Sequence, residues 1–370
     1  MRQAERAIFD LRRGLPVLLG SEDGDTLVLP VEGLVSERIA EAVALAGACP
    51  VLVLSSHRLA SLGMTVDGDC ACLPLAEDVQ AAQVIRFALA RAEALAADPP
   101  PALRMPSVAE SAALQLMRRA QLIPAALVFK VEATQGAAVE AVRLAGDVLK
   151  VDSAAALALC QDSAGQLTMV SDARVPLAGL GDAQFVLFRE EDGIREHVAV
   201  LLGERNAWPE AVPLRVHSAC LTGDLFGSER CDCGAQLRNS LSAIHALGGG
   251  IVLYLAQEGR GIGLANKLRA YRLQDQGLDT IDADEVIGFG KDERDYRVAH
   301  RMLDALGIQR VELLTNNPEK VRALCDAGID VSSRRALFGQ LNDNNQHYLR
   351  TKADRHGHML EELLATPVKR

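Results

Sequence analysis

Cys220, Cys231 and Cys233 stand close together in the chain, the first alone and the other two separated by one residue. Three soft, ionisable ligands in so short a stretch suit a metal of zinc type, and three protein ligands leave a fourth tetrahedral position for water, as in hydrolytic zinc sites. Two Cys-x2-Cys hooks, the usual closed structural arrangement, are missing, although His217, three residues before Cys220, would be able to complete a closed site. The other cysteines are scattered and read as small buried apolar residues.

Two strand-to-helix turns follow. Gly250–Leu255 reads as a strand, Gln257-Glu258-Gly259-Arg260-Gly261-Ile262-Gly263 as a turn, and the residues from Leu264 through Tyr271 as a helix. Such a turn offers backbone amides to an anion, Glu258 can accept paired N–H donors such as those of a guanine edge, and Arg260 can clamp phosphate oxygens. At the second turn, Asn317 is placed to cap a helix begun by Pro318 and closed by Gly328. Thr315 and Lys320 then face an oxyanion, or the helix is a capped surface helix whose lysine is solvated. The charged run Gly288–Tyr296 reads as a loop-to-helix boundary whose charge density alone implies no function.

The elements that must position these groups read as α/β, in two domains in series. The 370 residues, 49% hydrophobic and 24% charged, suffice for two cores. In the first part, helices are expected over Ser36–Leu45 and Val79–Ala97, the second stopped by Asp98-Pro99-Pro100-Pro101, with strands at Pro50–Leu54 and Ala126–Phe129. Polar residues Gln161–Gly165 mark the junction. Beyond it, Phe185–Phe188 and His197–Leu202 flank the turn Glu190–Gly193 as a hairpin. A mixed sheet with flanking helices is expected there, with the metal site at a sheet edge. A net charge of −10 argues against general nucleic-acid binding, no apolar run approaches the ~18 residues that span a bilayer, and a cluster of ligand-like cysteines fits a reducing, cytoplasmic setting.

In order and spacing, these segments resemble GTP cyclohydrolase II. The resemblance is carried by Arg215-Val216-His217-Ser218, Cys231-Asp232-Cys233-Gly234 with Gln236-Leu237, the turn Gln257–Leu264 with Asn266-Lys267 and Arg269-Ala270-Tyr271, and Leu273–Thr280. It continues through Asp292, Arg294-Asp295-Tyr296, Leu313–Pro318, and His347-Tyr348-Leu349 with Thr351-Lys352. It implies a domain at 172–370 that hydrolyses GTP to formate, pyrophosphate and 2,5-diamino-6-(5-phosphoribosylamino)pyrimidin-4-one, the first step of riboflavin biosynthesis. It further implies one Zn2+ per chain on Cys220, Cys231 and Cys233, Mg2+ with the triphosphate, and a homodimer. GTP contacts are implied for Arg215, Val216, His217, Ser218, Ala219, Gln236, Glu258, Gly259, Arg260, Thr280, Thr315 and Lys320. Asp292 is implied as proton acceptor, Arg294 as nucleophile toward the α-phosphoryl group, and Tyr271 as a residue beside the base. A guanidinium has no free lone pair at neutral pH, so an electrostatic clamp is the physically simpler role for Arg294. Ala219 departs from the family's usual Glu, which raises the alternative of a weakened nucleotide-binding sensor or scaffold.

Residues 1–165 resemble dihydroxybutanone phosphate synthase more faintly, through Ala7–Gly14, Ala40–Val43, Arg58–Met64 and Ala109–Ala112. Its acidic metal loop is reduced to Ser21–Asp25, Val108 replaces an expected metal-binding His, and Lys130 an expected catalytic Glu. The resemblance therefore implies a domain inactive in that reaction.

Overall fold

A computed structural model describes residues 2–95, 102–162, 167–342, 345–346, 350, 353, 357 and 359–365. The Asp98–Pro101 stop, the centre of the 161–165 junction and the His347–Lys352 segment lie mostly outside those residues. The chain is α/β with two mixed sheets. Its contacts divide it into two units, Met1–Asp162 with Ala265–Glu293, and Ser163–Leu264 with Arg294–Arg370.

In the first unit, β1 (Val17–Ser21), β2 (Gly24–Pro30), β3 (Val51–Ser55), β4 (Cys70–Pro74), β5 (Ala125–Lys130) and β6 (Leu149–Asp152) form a sheet of order β4-β3-β5-β2-β1-β6. Only β1 and β6 pair in parallel. The acidic stretch at Ser21–Asp25 is a tight hairpin in which Ser21 lies opposite Gly24. The Lys130 ammonium bonds to the Asp23 carbonyl, and that of Lys150 pairs with Asp25 at 2.8 Å. Leu18, Leu27, Leu52, Leu127 and Phe129 fill the core. Helix Val108–Arg119 is fixed at its start by a capping box: Ser107 Oγ accepts from Glu110 N, and the Glu110 carboxylate accepts from Ser107 N.

The helix expected over Val79–Ala97 is shorter. It runs Ala81–Leu89, turns extended at Ala90, and a further turn covers Ala92–Leu95. The break has a tertiary cause. The guanidinium of Arg58, 1% exposed, donates to the carbonyls of Phe87 and Ala90 at 2.9 and 2.5 Å, taking the backbone acceptors at which the helix would continue.

In the second unit, β7 (Leu167–Leu177), β8 (Gly181–Glu190), β9 (Glu196–Leu202), β10 (Val212–Ser218), β11 (Gly250–Leu255), β12 (Arg310–Leu314) and β13 (Asp330–Arg335) form a sheet of order β13-β12-β10-β11-β9-β8-β7. β8 and β9 are the expected hairpin. β10, β11, β12 and β13 run parallel, whereas β7, β8 and β9 pair antiparallel. β10 and β11 are buried over nearly their whole length, as strands covered on both faces must be, and β11 is a continuous apolar run whereas β10 carries the polar Arg215, His217 and Ser218. Val216, Leu253 and Leu313 pack with Val298 and Met302 of helix Arg297–Ala305. Among the described residues, no helix is long and apolar enough to cross a membrane.

Candidate active site

The carboxyl ends of the three neighbouring parallel strands β10, β11 and β12 lead into Arg215–Cys220, the Gln257–Gly263 turn and the Thr315–Lys320 helix start. Open α/β sheets bind ligands at such ends, because the loops there diverge while the strands fix where each begins. The expected sheet-edge location is corrected: β10 is an interior strand, and the cysteines follow its carboxyl end.

Cys220 lies two residues beyond β10, and Cys233 opens helix Cys233–Ala246. The Sγ atoms of Cys220, Cys231 and Cys233 lie within 4.8 Å of one another, those of Cys220 and Cys231 at 3.7 Å. Sulfurs arranged tetrahedrally about zinc at ~2.3 Å are roughly 3.8 Å apart, so the donor set fits that ion. Close packing makes the approach possible. A Cβ on Gly223 would stand 2.7 Å from Cys231 Sγ, and one on Gly234 would stand 2.2 Å from the Gly223 carbonyl oxygen. Hydrogen bonding with Cys220, reinforced by burial, pushes the Cys231 thiol up to about 11, so a cation must supply the charge that makes it a thiolate.

His217 is not in this cluster. Its Nε2 lies 3.1 Å from both oxygens of Asp224, whose Oδ2 also accepts from Tyr254 OH at 3.0 Å and from Cys220 N at 2.9 Å. Asp224 therefore ties the backbone of Cys220 to an aromatic pair, buried His217 and half-buried Tyr254, whose rings stack at 5.6 Å. Burial lowers the His217 pKa and keeps the ring neutral. Because a carboxylate only accepts, Nε2 donates to Asp224 and Nδ1 is left as an acceptor.

Glu258 faces the cysteine loop. Its Oε2 accepts from Leu221 N at 2.6 Å and its Oε1 from Gly259 N at 3.2 Å. The turn beyond it is tightly wound: Gly259 and Arg260 both have φ of 62°, Gly261 98° and Gly263 86°. Glycine takes that region freely, but Arg260 does so against side-chain sterics, a strain that local structure must hold. Ala219 is anchored by its amide to the Leu255 carbonyl at 2.8 Å.

Arg215 is buried beside β12. It donates to Leu314 O at 3.0 Å and to Gln236 Oε1 at 2.6 Å, while Gln236 in turn donates to Asp232. Burial lowers its pKa, but the guanidinium stays charged. Asn317 caps helix Pro318–Asp326, accepting from Glu319 N at 2.8 Å, and Thr315 Oγ1 accepts from Asn317 N at 3.1 Å. Lys320 is not solvated: its ammonium is buried, donates to Val216 O at 2.8 Å and sits 5.8 Å from the Tyr296 ring centroid. Arg294 lies 5.5 Å from the same ring.

Buried Arg215 Nε, His217 Nδ1, Ser218 Oγ, Gln257 Oε1 and Asn317 Nδ2 have no hydrogen-bond partner among the described residues. Buried polar atoms are normally paired, and four of these residues sit at or just beyond the carboxyl ends of β10, β11 and β12, with Arg215 inside β10, which marks a place prepared for a polar ligand. Asp224, Tyr254 and Gln257 were not singled out from the sequence. The strand-end rule applied to β11 would have found Tyr254 and Gln257, which sit at and just beyond its carboxyl end. Tyr271, Thr280 and Asp292 belong to the other unit, in the segment Ala265–Glu293. There the Lys267 ammonium lies 5.6 Å from the Tyr271 ring, and Thr280 is the first residue of helix Thr280–Ile287.

The GTP cyclohydrolase II family profile matches residues 168–336. A GTP cyclohydrolase-2 of Azospirillum brasilense is 41% identical over 97% of this chain and 94% of its own length. The chain belongs to the GTP cyclohydrolase-2 family. It is thereby an enzyme of that family, and its N-terminal half is part of the match to this relative. A GTP cyclohydrolase-2 of Neisseria meningitidis, by contrast, is 51% identical over 47% of this chain and 87% of its own length. Among solved structures, RibBX, a two-domain 3,4-dihydroxy-2-butanone 4-phosphate synthase from A. baumannii, aligns over 90% of this chain and 99% of its own, with 16% identity and a TM-score of 0.33. That superposition is too loose to inform either half.

Proposed function

We propose that this GTP cyclohydrolase-2 family enzyme opens the imidazole ring of GTP, releasing its carbon as formate and the terminal phosphates as pyrophosphate, and leaves 2,5-diamino-6-(5-phosphoribosylamino)pyrimidin-4-one for riboflavin biosynthesis. One observation carries the reading: three convergent sulfurs, a carboxylate and unpaired buried polar atoms share the carboxyl ends of three parallel strands. Cys220, Cys231 and Cys233 would hold one Zn2+, and Mg2+ would accompany the triphosphate. When bound, zinc supplies Lewis-acid activation of water.

The chain's own groups divide the remaining work. Each Glu258 oxygen already accepts one backbone N–H and retains lone-pair capacity for the paired donors of a guanine edge. Fixing that carboxylate to Leu221, next to Cys220, orients the base relative to the cysteines. Gln236, Arg215, Val216, His217, Ser218 and Ala219 line the nucleotide's path, with the free Nε of Arg215 and Oγ of Ser218 as donors. Arg260 and Gly259, with Thr315, Lys320 and Arg294, meet the phosphates. We read Arg294 as an electrostatic clamp, since a guanidinium beside an aromatic face keeps its charge and no lone pair. Asp292 is assigned as proton acceptor, Tyr271 to the base and Thr280 to the nucleotide, on the family resemblance.

The reading includes a homodimer, a reducing cytoplasmic setting, a cyclohydrolase domain at 172–370, and a domain at 1–165 inactive as a synthase. Purified protein incubated with GTP, Zn2+ and Mg2+ tests it. Formate and pyrophosphate in equal amounts are expected. Tight GTP binding with neither product would instead establish the sensor reading that Ala219 motivates, and release of phosphate without formate would exclude ring opening. Conversion of ribulose 5-phosphate would overturn the inactivity assigned to residues 1–165.

A further inference from the structure

We infer that the N-terminal half is a clamp for the segment that carries Tyr271, Thr280 and Asp292, with Ser55, Arg58 and Arg118 as its positioning residues. Helix Thr280–Ile287 ends with carbonyls that have no partner within the helix, and the N-terminal half supplies the donors. Buried Arg58 donates from Nη1 to Val286 O at 3.1 Å, and buried Ser55 donates from Oγ to Gly288 O at 2.6 Å. A cation at that position also complements the negative end of the helix dipole. Contact is too close for any side chain at Gly288, where a Cβ would stand 2.8 Å from Pro124 Cγ and 3.0 Å from Ser55 Oγ.

Both ends of the segment are tied in the same way. At its start, Asn266 is fully buried and donates from Nδ2 to Gln121 O at 3.0 Å and Leu122 O at 3.4 Å, while Arg269 pairs with Glu32 at 3.0 Å. Gln121 holds a φ of 57°, an unfavourable backbone state for a non-glycine residue, at the carbonyl that Asn266 takes. At its end, Glu293 pairs with Arg118 at 2.6 Å and also accepts from Gly290 N at 2.8 Å, which closes the loop on either side of Asp292. Arg58 spends its other donors on Phe87 O and Ala90 O, so the broken helix of the N-terminal half and the end of the Thr280 helix meet on one guanidinium.

The Neisseria relative matches 47% of this chain over 87% of its own length, so it is too short to match both halves of this chain. The family's chemistry does not require an N-terminal half. In this chain the half holds a segment instead of conducting a reaction of its own. This inference rests on the assignment of Tyr271, Thr280 and Asp292 to turnover.

Full-length Ser55→Ala, Arg58→Lys and Arg118→Glu variants test it, with Arg118→Glu combined with Glu293→Arg as the rescue. Two readouts are taken: kcat and KM for GTP, and amide hydrogen exchange of residues 265–293. Zinc content and melting temperature serve as controls. Expected are a kcat lowered fivefold or more with KM changed less than twofold, faster exchange over 280–293, unchanged zinc content, and recovery of both readouts in the charge-swapped double variant. Unchanged exchange and kcat in all single variants would overturn the clamp. Faster exchange in a protein whose wild type does not turn over GTP would leave the clamp standing and overturn the cyclohydrolase reading instead.

Discussion

At the scale of single residues, the candidate site depends on small groups that let large ones approach. Gly223 lies against all three cysteines, and a methyl group there would stand 2.7 Å from Cys231 Sγ and 3.1 Å from Cys220 Sγ. Gly223→Ala should therefore spread the sulfurs and weaken zinc about 10- to 100-fold, comparable to the loss of an orienting partner. Competition with a chromogenic chelator measures this directly, and wild-type affinity in the variant would refute the packing account. Cys231→Ser removes a ligand outright. It should reduce bound zinc well below one per chain and formate release at least 100-fold, with the fold retained by circular dichroism. The cysteine cluster itself was legible in the sequence because ligand chemistry restricts residue type and local spacing. Asp224 was not legible, since its role arises when β10 and β11 lie side by side and bring Tyr254 and His217 to one carboxylate.

Among elements, sequence pattern served best where structure is local. Asn317 and Pro318 announce a capped helix, and that helix runs Pro318–Asp326 with the cap bond in place. The capped lysine read as either solvated or functional resolves to a buried ammonium, because Lys320 reaches across to the Val216 carbonyl of β10, a contact separated by 104 residues. The helix over Val79–Ala97 was overestimated for the same reason: Arg58, distant in sequence, takes the carbonyls of Phe87 and Ala90. The two polar atoms of the Asn317 side chain have different surroundings. Oδ1 caps Glu319 N, whereas Nδ2 is buried without a partner. Asn317→Asp keeps the acceptor and should leave the melting temperature within a few degrees, yet raise KM for GTP at least tenfold by turning a donor toward the phosphates into an anion. Asn317→Ala should cost about 1 kcal/mol of stability in urea unfolding as well. Equal KM values for the Asp variant and wild type would remove Asn317 from the nucleotide's surroundings.

For the molecule as a whole, the N-terminal half buries a core of its own, and its stability has a titratable component at Glu110. Burial alone would raise this carboxyl, but Arg104 at 2.5 Å and the Ser107 amide at 2.7 Å hold it down to about 2, from an ordinary 4.5. A carboxyl depressed in the folded state contributes stability that is present above its unfolded pKa and is lost as pH falls through the folded one. The window is therefore pH 4.5 to 2, and the contribution is about 3 kcal/mol at neutral pH, of which about 2 kcal/mol is gone by pH 3. The same carboxylate closes the capping box of helix Val108–Arg119 and anchors Arg104, whose backbone pairs with Cys72 of β4, so its protonation loosens a helix start and a sheet margin together. Glu110→Gln should destabilise the protein by about 2 kcal/mol or more at pH 7 and by little at pH 2. Its urea midpoint between pH 5 and pH 3 should fall less than that of wild type. If both proteins lost stability in parallel over that range, the acid sensitivity would belong to other carboxylates, as a chain of net charge −10 could supply, and Glu110 would be only a cap.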